Sequence, residues 1–186
     1  FIADEPIDHG RYATWGSFRQ KSSGKSFFFV DTHLEPEPDG EYPALRIRQA
    51  ERIVALIKEK NTANLPVFIV GDLNSNKYTT TANGPYDAFV NAGYVDPIGN
   101  DYDSTYPSGK ATAESSINAE YNTYNGFNRA LKWNVNAGHT SNGMHLDYIL
   151  TSPMRVAEWK QVLNKEGDSL VGIIPADHNM LTSTVE

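Results

Sequence analysis

Four short segments hold the side chains best equipped for chemistry. They are Asp31-Thr32-His33, Gly71-Asp72-Leu73-Asn74, Asp147 within His145-Leu146-Asp147-Tyr148-Ile149-Leu150, and Asp177-His178 within Pro175-Ala176-Asp177-His178-Asn179. Each sits where an apolar, strand-like run meets a turn, the place where a rigid scaffold presents functional groups. His33 could bind or protonate a phosphate oxygen, because imidazole titrates near neutrality. Taken alone, it better suits a histidine that makes only structural hydrogen bonds. Asp72 and Asn74 stand two apart, so an extended segment would put both side chains on one side. There a carboxylate and a carboxamide can orient a water and a phosphate oxygen, although such residues after a β-branched run also make ordinary turns. Asp147 interrupts an apolar strand and is costly to bury without a cation or a histidine beside it. An edge strand facing water would also accommodate it. Asp177 could ligate a hard cation and His178 could contact a phosphate, with Asp147 holding His178 in one tautomer. The alternative there is a polar hairpin turn. His145 shares the alternation of Asp147, with nothing else to support a role.

Together the candidate side chains Asp72, Asp147, Asp177, His33, His178 and Asn74 supply three carboxylates, two histidines and one carboxamide. This set suits a hard divalent cation, Mg²⁺ first and Mn²⁺ or Ca²⁺ after it, which takes few protein ligands and leaves room for water and phosphate. Structural zinc does not suit it, since the chain has no cysteine and no histidine pair at ligand spacing. No Gly-x-Ser-x-Gly elbow, Walker loop or dinucleotide fingerprint occurs. The fitting reaction is in-line attack of water on a phosphoester.

The elements that must position these groups alternate in type. Strands are expected at Arg11–Gln20, Ser26–Leu34 and Leu65–Asn74, from aromatic or β-branched runs. A helix is expected at Ala44–Lys60, with Ala50, Ile53, Val54 and Ile57 on one stripe and Asn61 as its stop. Gly84–Gly93 reads as a short helix with Pro85 in its first turn. Tyr94–Glu120 and Asn128–Gly143 read as loops, and Tyr121–Phe127 as a strand. Further strands are expected at Met144–Ser152, at Met154–Leu163, and on both sides of the Pro175–His178 turn within Ser169–Glu186. The result is a mixed α/β chain in stacked layers. Its 186 residues suit a single domain over 1–186. No run approaches the roughly 20 apolar residues that span a bilayer. The formal net charge of −7 gives no footprint for tight non-specific nucleic-acid binding, yet leaves room for an enzyme that meets phosphates through a metal. The absence of cysteine also excludes a disulfide framework and a thiolate nucleophile. Abundant Asn, Thr, Ser, Gly and Tyr hint at a secreted protein. The opening FIADEPIDHG shows no signal peptide and reads as the end of a strand and a turn.

The order Asp31-Thr32-His33-Leu34, Gly71-Asp72-Leu73-Asn74-Ser75, Leu146-Asp147-Tyr148-Ile149-Leu150 and Asp177-His178-Asn179 resembles the endonuclease/exonuclease/phosphatase, or deoxyribonuclease-I-like, superfamily. Trp15, Phe18 and Tyr124-Asn125-Gly126-Phe127 fit it too, and the secreted bacterial members are the nearest in flavour. The resemblance implies a four-layer α/β sandwich with its site at one rim of two packed sheets. It implies that His33 contacts the scissile phosphate, that Asp72 orients or deprotonates the attacking water, and that Asn74 holds a phosphate oxygen. It further implies that Asp147 pairs with His178, which stabilises developing charge, and that Asp177 helps to bind Mg²⁺ alongside Asp72. The family's N-terminal half also carries a first-strand Asn and a metal-binding Glu in a Gln-Glu segment, and neither is found here, since Glu5 lies in a different context. The chain therefore reads as the C-terminal part of a family member, lacking N-terminal strands and a helix. The expected activity is Mg²⁺-dependent phosphodiester hydrolysis, with DNA or RNA first among substrates and phospholipid or inositol phosphate as rivals. A half-domain that is inactive, or that complements a missing N-terminal half, is the non-enzymatic alternative. Tyr124, Phe127 and Trp133 could stack on bases or fill a core, the latter suiting Phe127 better.

Overall fold

Arg11–Gln20 and the apolar run after Lys25 fold into an antiparallel hairpin, β1 (Ala13–Arg19) and β2 (Ser26–His33). There follow α1 (Tyr42–Lys60), β3 (Val67–Asp72), α2 (Gly84–Asn91), β4 (Ala113–Ile117), β5 (Asp147–Thr151), β6 (Val156–Val162), β7 (Lys165–Glu166), β8 (Ser169–Leu170) and β9 (Met180–Val185). The computed structural model describes residues 10–77, 84–99, 112–134 and 143–186. The opening segment through His9, with Glu5, lies outside the described residues, as do parts of the loops expected after Tyr94 and Asn128. Two units divide the chain: Phe1–Ser75 with Asn83–Val95 and Tyr148–Pro153, and Asn76–Ala82 with Asp96–Asp147 and Met154–Glu186. Among the described residues, no helix is long and apolar enough to cross a membrane.

The first unit is built on a sheet of order β1-β2-β3-β5. Along β2, Phe28, Val30 and Thr32 are buried while Asp31 and His33 are exposed, the period of two that a strand imposes. Helix α1 carries Pro43 in its first turn, where a missing N–H costs nothing. It buries Leu45, Ala50, Ile53 and Ile57, but also Arg46 and Gln49, whereas Val54 is only half-buried. The stripe is broader than the apolar pattern implies because these two polar side chains have partners. Arg46 Nη1 donates to the carbonyls of Glu35 (3.0 Å) and Glu37 (2.6 Å), and Gln49 Oε1 accepts the Glu35 N–H (3.1 Å). The helix thereby fastens the loop that leaves His33. Asn61 closes α1, and its side chain bonds both the N–H and the carbonyl of Leu65 (2.9 and 2.8 Å). This small ring delivers the chain into β3. Helix α2 packs on α1 and buries Tyr86, whose ring meets that of Tyr148 at 5.5 Å.

In the second unit β6 lies between β4, parallel to it, and β9, antiparallel. Trp159, 1% exposed, anchors one cluster with Ile98 and Ala119, and Tyr121, Leu131 and Leu170 form another. Three expectations are corrected here. Strand β4 lies in a stretch read as loop; Ala-Glu-Ser-Ser-Ile has weak local pattern and becomes a strand by pairing with β6. Tyr121–Phe127 is not a strand. It turns repeatedly, with isolated bridges at Tyr121–Trp133 and Tyr124–His178, because Asn side chains take over main-chain hydrogen bonding. After β8 the chain runs irregularly to β9, so only two residues of the strand expected at Ser169 are realised.

His145 is a core residue, 1% exposed and stacked on Trp159 with ring centroids 6.1 Å apart. Burial first, and the nearby Lys77 ammonium second, hold its imidazole well below the ordinary range. Its folded form therefore binds a proton less readily than the unfolded chain, where imidazole titrates near 6.5. That stability is whole above about pH 6.5 and declines as pH falls below it, by up to ~1.4 kcal/mol per pH unit. Urea unfolding at pH 7.5 and pH 5 should show the decline, and His145→Gln should flatten it. A slope that survives the substitution would assign the effect to other groups.

Candidate active site

Strands β2 and β3 run parallel, in a register that pairs Thr32 with Gly71 and His33 with Asp72. Both strands end at that last pair, so an imidazole and a carboxylate emerge side by side. His33 Nε2 stands 3.5 Å from Asp72 Oδ2, within ionic reach but longer than a good hydrogen bond. The His33 side chain is 58% exposed and that of Asp72 only 11%. The pairing depends on Gly71. Its φ is +132°, and a Cβ placed there would lie 1.8 Å from the Thr32 carbonyl oxygen. No side chain fits between the two strands at this point.

The chain then turns. Asn74 has φ +46°, a left-handed conformation that Asn tolerates. Its N–H donates to Asp72 Oδ1 (2.7 Å) and its Nδ2 to the Leu34 carbonyl (2.9 Å). Asp72 and Asn74 are thus brought together by a turn, not by the two-residue alternation of an extended segment. The carboxamide also ties the end of β3 to the loop after β2. Beside His33 lies a concavity of about 290 Å³ bordered by Arg11, Tyr12, Asp31 and Thr32.

In the second unit, Asp147 opens β5, and its Oδ2 lies 2.8 Å from His178 Nδ1. A carboxylate only accepts, so Nδ1 carries the proton and Nε2 keeps its lone pair. Both side chains are half-buried. The Tyr124 ring covers the imidazole at 5.1 Å between centroids, tilted by 60°. Asp177 is half-buried, and its carbonyl accepts the N–H groups of Asn125 (2.8 Å) and Gly126 (3.0 Å). A cavity of about 530 Å³ reaches His178; its other walls include Leu163, Ile173, Ile174 and Met180. Of the aromatics considered for base stacking, Tyr124 lies on His178, while Trp133 packs on Tyr121 at 5.2 Å. Phe127 is not core: it is 62% exposed, because the left-handed turn at Gly126–Phe127 swings it outward. Thr123, which the sequence reading does not single out, and Asn125, which it names only within the Tyr124–Phe127 segment that fits the family, make several of the hydrogen bonds around the histidine. The signal for Thr123 is the density of hydrogen-bonding residues between Tyr121 and Phe127.

The donors offered by Asp72 and Asp177 are hard carboxylate oxygens, in a chain without a thiolate. That chemistry fits Mg²⁺ and not a soft metal.

The family described as Endonuclease/Exonuclease/phosphatase matches residues 2–178. No curated protein sequence matches the chain. Among solved structures, a mannosyl-6-phosphatase from Bacteroides thetaiotaomicron is similar with a TM-score of 0.65 at 20% identity, over 95% of this chain and 57% of that one. A Staphylococcus aureus beta toxin double mutant with bound magnesium ions aligns with a TM-score of 0.54 at 19% identity, over 93% and 53% of the two chains. The human Nocturnin catalytic domain with bound sulfate aligns at 0.53 and 17% identity, over 94% and 53%. These likenesses establish a shared α/β fold. The chain spans just over half the length of each.

Gly71→Ala should cost about 3 kcal/mol or more, since it adds overpacking against main chain to a left-handed strain. Gly167→Ala, where φ is +56° in open space, should cost only ~1 kcal/mol. Urea midpoints compare them, and equal costs would remove the close approach of β2 and β3 as the reason for the glycine.

Proposed function

Because this chain belongs to the Endonuclease/Exonuclease/phosphatase family, we propose that it hydrolyses phosphodiesters with the help of a divalent cation, acting first of all as a nuclease on DNA or RNA. The observation that carries the reading is the 2.8 Å bond between Asp147 and His178. A lone buried aspartate is costly, and an aspartate that fixes a histidine tautomer is a device for catalysis at phosphate and acyl centres. His33, largely exposed beside Asp72, donates to a phosphate oxygen. Asp72, whose Oδ1 is fixed by Asn74, orients the attacking water and accepts its proton. Asn74 holds a phosphate oxygen from the turn. His178, held by Asp147 through its Nδ1–H, stabilises the oxygens on which charge develops by donating from Nε2 once that nitrogen has taken up a proton. Mg²⁺ would be held by Asp72 and Asp177 and would withdraw charge from the phosphoryl oxygens. We further propose that the protein acts outside the cell, in keeping with its composition and with its likeness to a bacterial toxin.

A second reading has its own support. The cavity that reaches His178 is walled mainly by aliphatic side chains, which suits the apolar part of a phospholipid better than a nucleobase.

The test is hydrolysis of plasmid DNA, RNA, short-chain phosphatidylcholine and bis(p-nitrophenyl) phosphate with Mg²⁺. EDTA should abolish it, and Asp72→Ala, Asp177→Ala and His178→Ala should each lower the rate by about 10²–10⁴. Cleavage that persists in Asp177→Ala and His178→Ala would show the roles to be wrong. Preference for the phospholipid would select the second reading. Inactivity on all four substrates in every metal would overturn the proposal.

A further inference from the structure

One short segment, Asn122–Asn125, fastens both partners of the Asp147–His178 pair. Thr123 is 0% exposed, and its Oγ1 accepts the N–H groups of Leu146 (2.9 Å) and Asp147 (3.1 Å). Both acceptor sites of the hydroxyl are thereby used, and the main chain bearing the carboxylate is pinned at its entry to β5. The Thr123 N–H donates to the Met144 carbonyl (3.0 Å), so the residue grips that chain from two sides.

Asn125, 5% exposed, does the same for the histidine. Its Nδ2 donates to the Ala176 carbonyl (3.1 Å) and to Asn179 Oδ1 (2.8 Å). Its Oδ1 accepts the Phe127 N–H (2.7 Å), which settles which end of the carboxamide points toward the turn. The main-chain N–H groups of Asn125 and Gly126 both donate to the Asp177 carbonyl. Asn179 returns the grip, its N–H donating to the Thr123 carbonyl (2.7 Å) and its Nδ2 to that of Asn122 (2.9 Å). The turn is thus tied at Ala176, Asp177 and Asn179, the residues around His178.

We propose that Thr123 and Asn125 are positioning residues, Thr123 for the Asp147 carboxylate and Asn125 for the His178 imidazole, and that together they hold His178 as its Nδ1–H tautomer. The catalytic consequence rests on the phosphodiesterase reading; the tautomer does not. If Thr123 only filled space, valine, which has its shape, would serve as well. Valine instead leaves two buried N–H groups without an acceptor, an arrangement that native chains avoid by moving.

The test uses the full chain labelled with ¹⁵N. Long-range proton–nitrogen spectra distinguish an Nδ1–H from an Nε2–H ring, and His178 should show the former alone. Thr123→Val and Asn125→Asp should each give a mixture of tautomers, and Thr123→Ser, which restores the acceptor, should recover the single form. On bis(p-nitrophenyl) phosphate with Mg²⁺, kcat should fall on the order of 10–100-fold in the first two with KM nearly unchanged, as for a misplaced group that binds no substrate. Wild-type ring signals and kcat in both variants would overturn the proposal. Should Thr123→Val fail to fold, Asn125→Asp decides it, and a disturbed ring in Thr123→Ser would count against it. If the wild-type chain hydrolyses nothing while the ring signals change as stated, positioning stands and the phosphodiesterase reading falls.

Discussion

Two parallel strands that nearly touch govern the first unit. Thr32 and Gly71 face each other across β2 and β3 so closely that any side chain at Gly71 would enter the Thr32 carbonyl. That closeness carries the register one step further and sets His33 beside Asp72. It also forces a glycine conformation at Gly71, from which the chain can leave the sheet at once and turn through Asn74. The loop on the other strand is restrained by Arg46 and Gln49 of α1. A helix that ought to offer only apolar residues to the sheet spends two buried polar ones on holding the exit from β2. Such groups are tolerated inside only when their hydrogen bonds are made, and here making them is what restrains the histidine's strand.

The second unit solves a similar problem with different material. The pair Asp147–His178 is surrounded by Asn, Thr and Tyr instead of by strand ladders. Asn179 donates to the Asn122 and Thr123 carbonyls, Asn125 Nδ2 donates to Asn179 Oδ1, and Gln161 adds a further bond to the Asn122 carbonyl. A polar network of this kind specifies one arrangement, because leaving a buried member unpaired costs more than pairing it gains. The apolar clusters around Trp159 and Tyr121 give the unit its core, and the amide network gives the histidine its place.

What could be read in the sequence followed local pattern. The apolar runs before His33 and Asp72 marked β2 and β3, the helical spacing marked α1 and its end at Asn61, and an aspartate inside an apolar strand asked for a partner. The α/β class came from that alternation, and the order of motifs pointed to the family. What could not be read was set by partners distant in the chain. Nothing around Ala113 announces β4, because β6 recruits it. The register that sets His33 level with Asp72 belongs to neither strand alone. Asn74 meets Asp72 through a turn, not through the alternation of an extended chain. Phe127, open in the sequence between stacking and core with core the better fit, is turned outward by a left-handed turn. Asn122 and Asn125 satisfy main-chain groups in Tyr121–Phe127, so a stretch with strand-like composition never becomes one.

The tryptophans sit in very different surroundings, and each can be observed by its light. Trp15, 43% exposed, stacks on Phe28 in the first unit, so its emission is that of a partly hydrated indole. Trp159, sealed in the second unit, lies against an imidazole held in its neutral form. Charging that ring during denaturation would place a quencher on a fluorophore that water has not yet reached. The red component of the emission thus comes from Trp15 on the hairpin of β1 and β2 together with Trp133, half-buried in the second unit, and the blue component from the core around β6. With Trp133→Phe, one cuvette experiment can therefore follow the melting of the two units separately, without any label being attached.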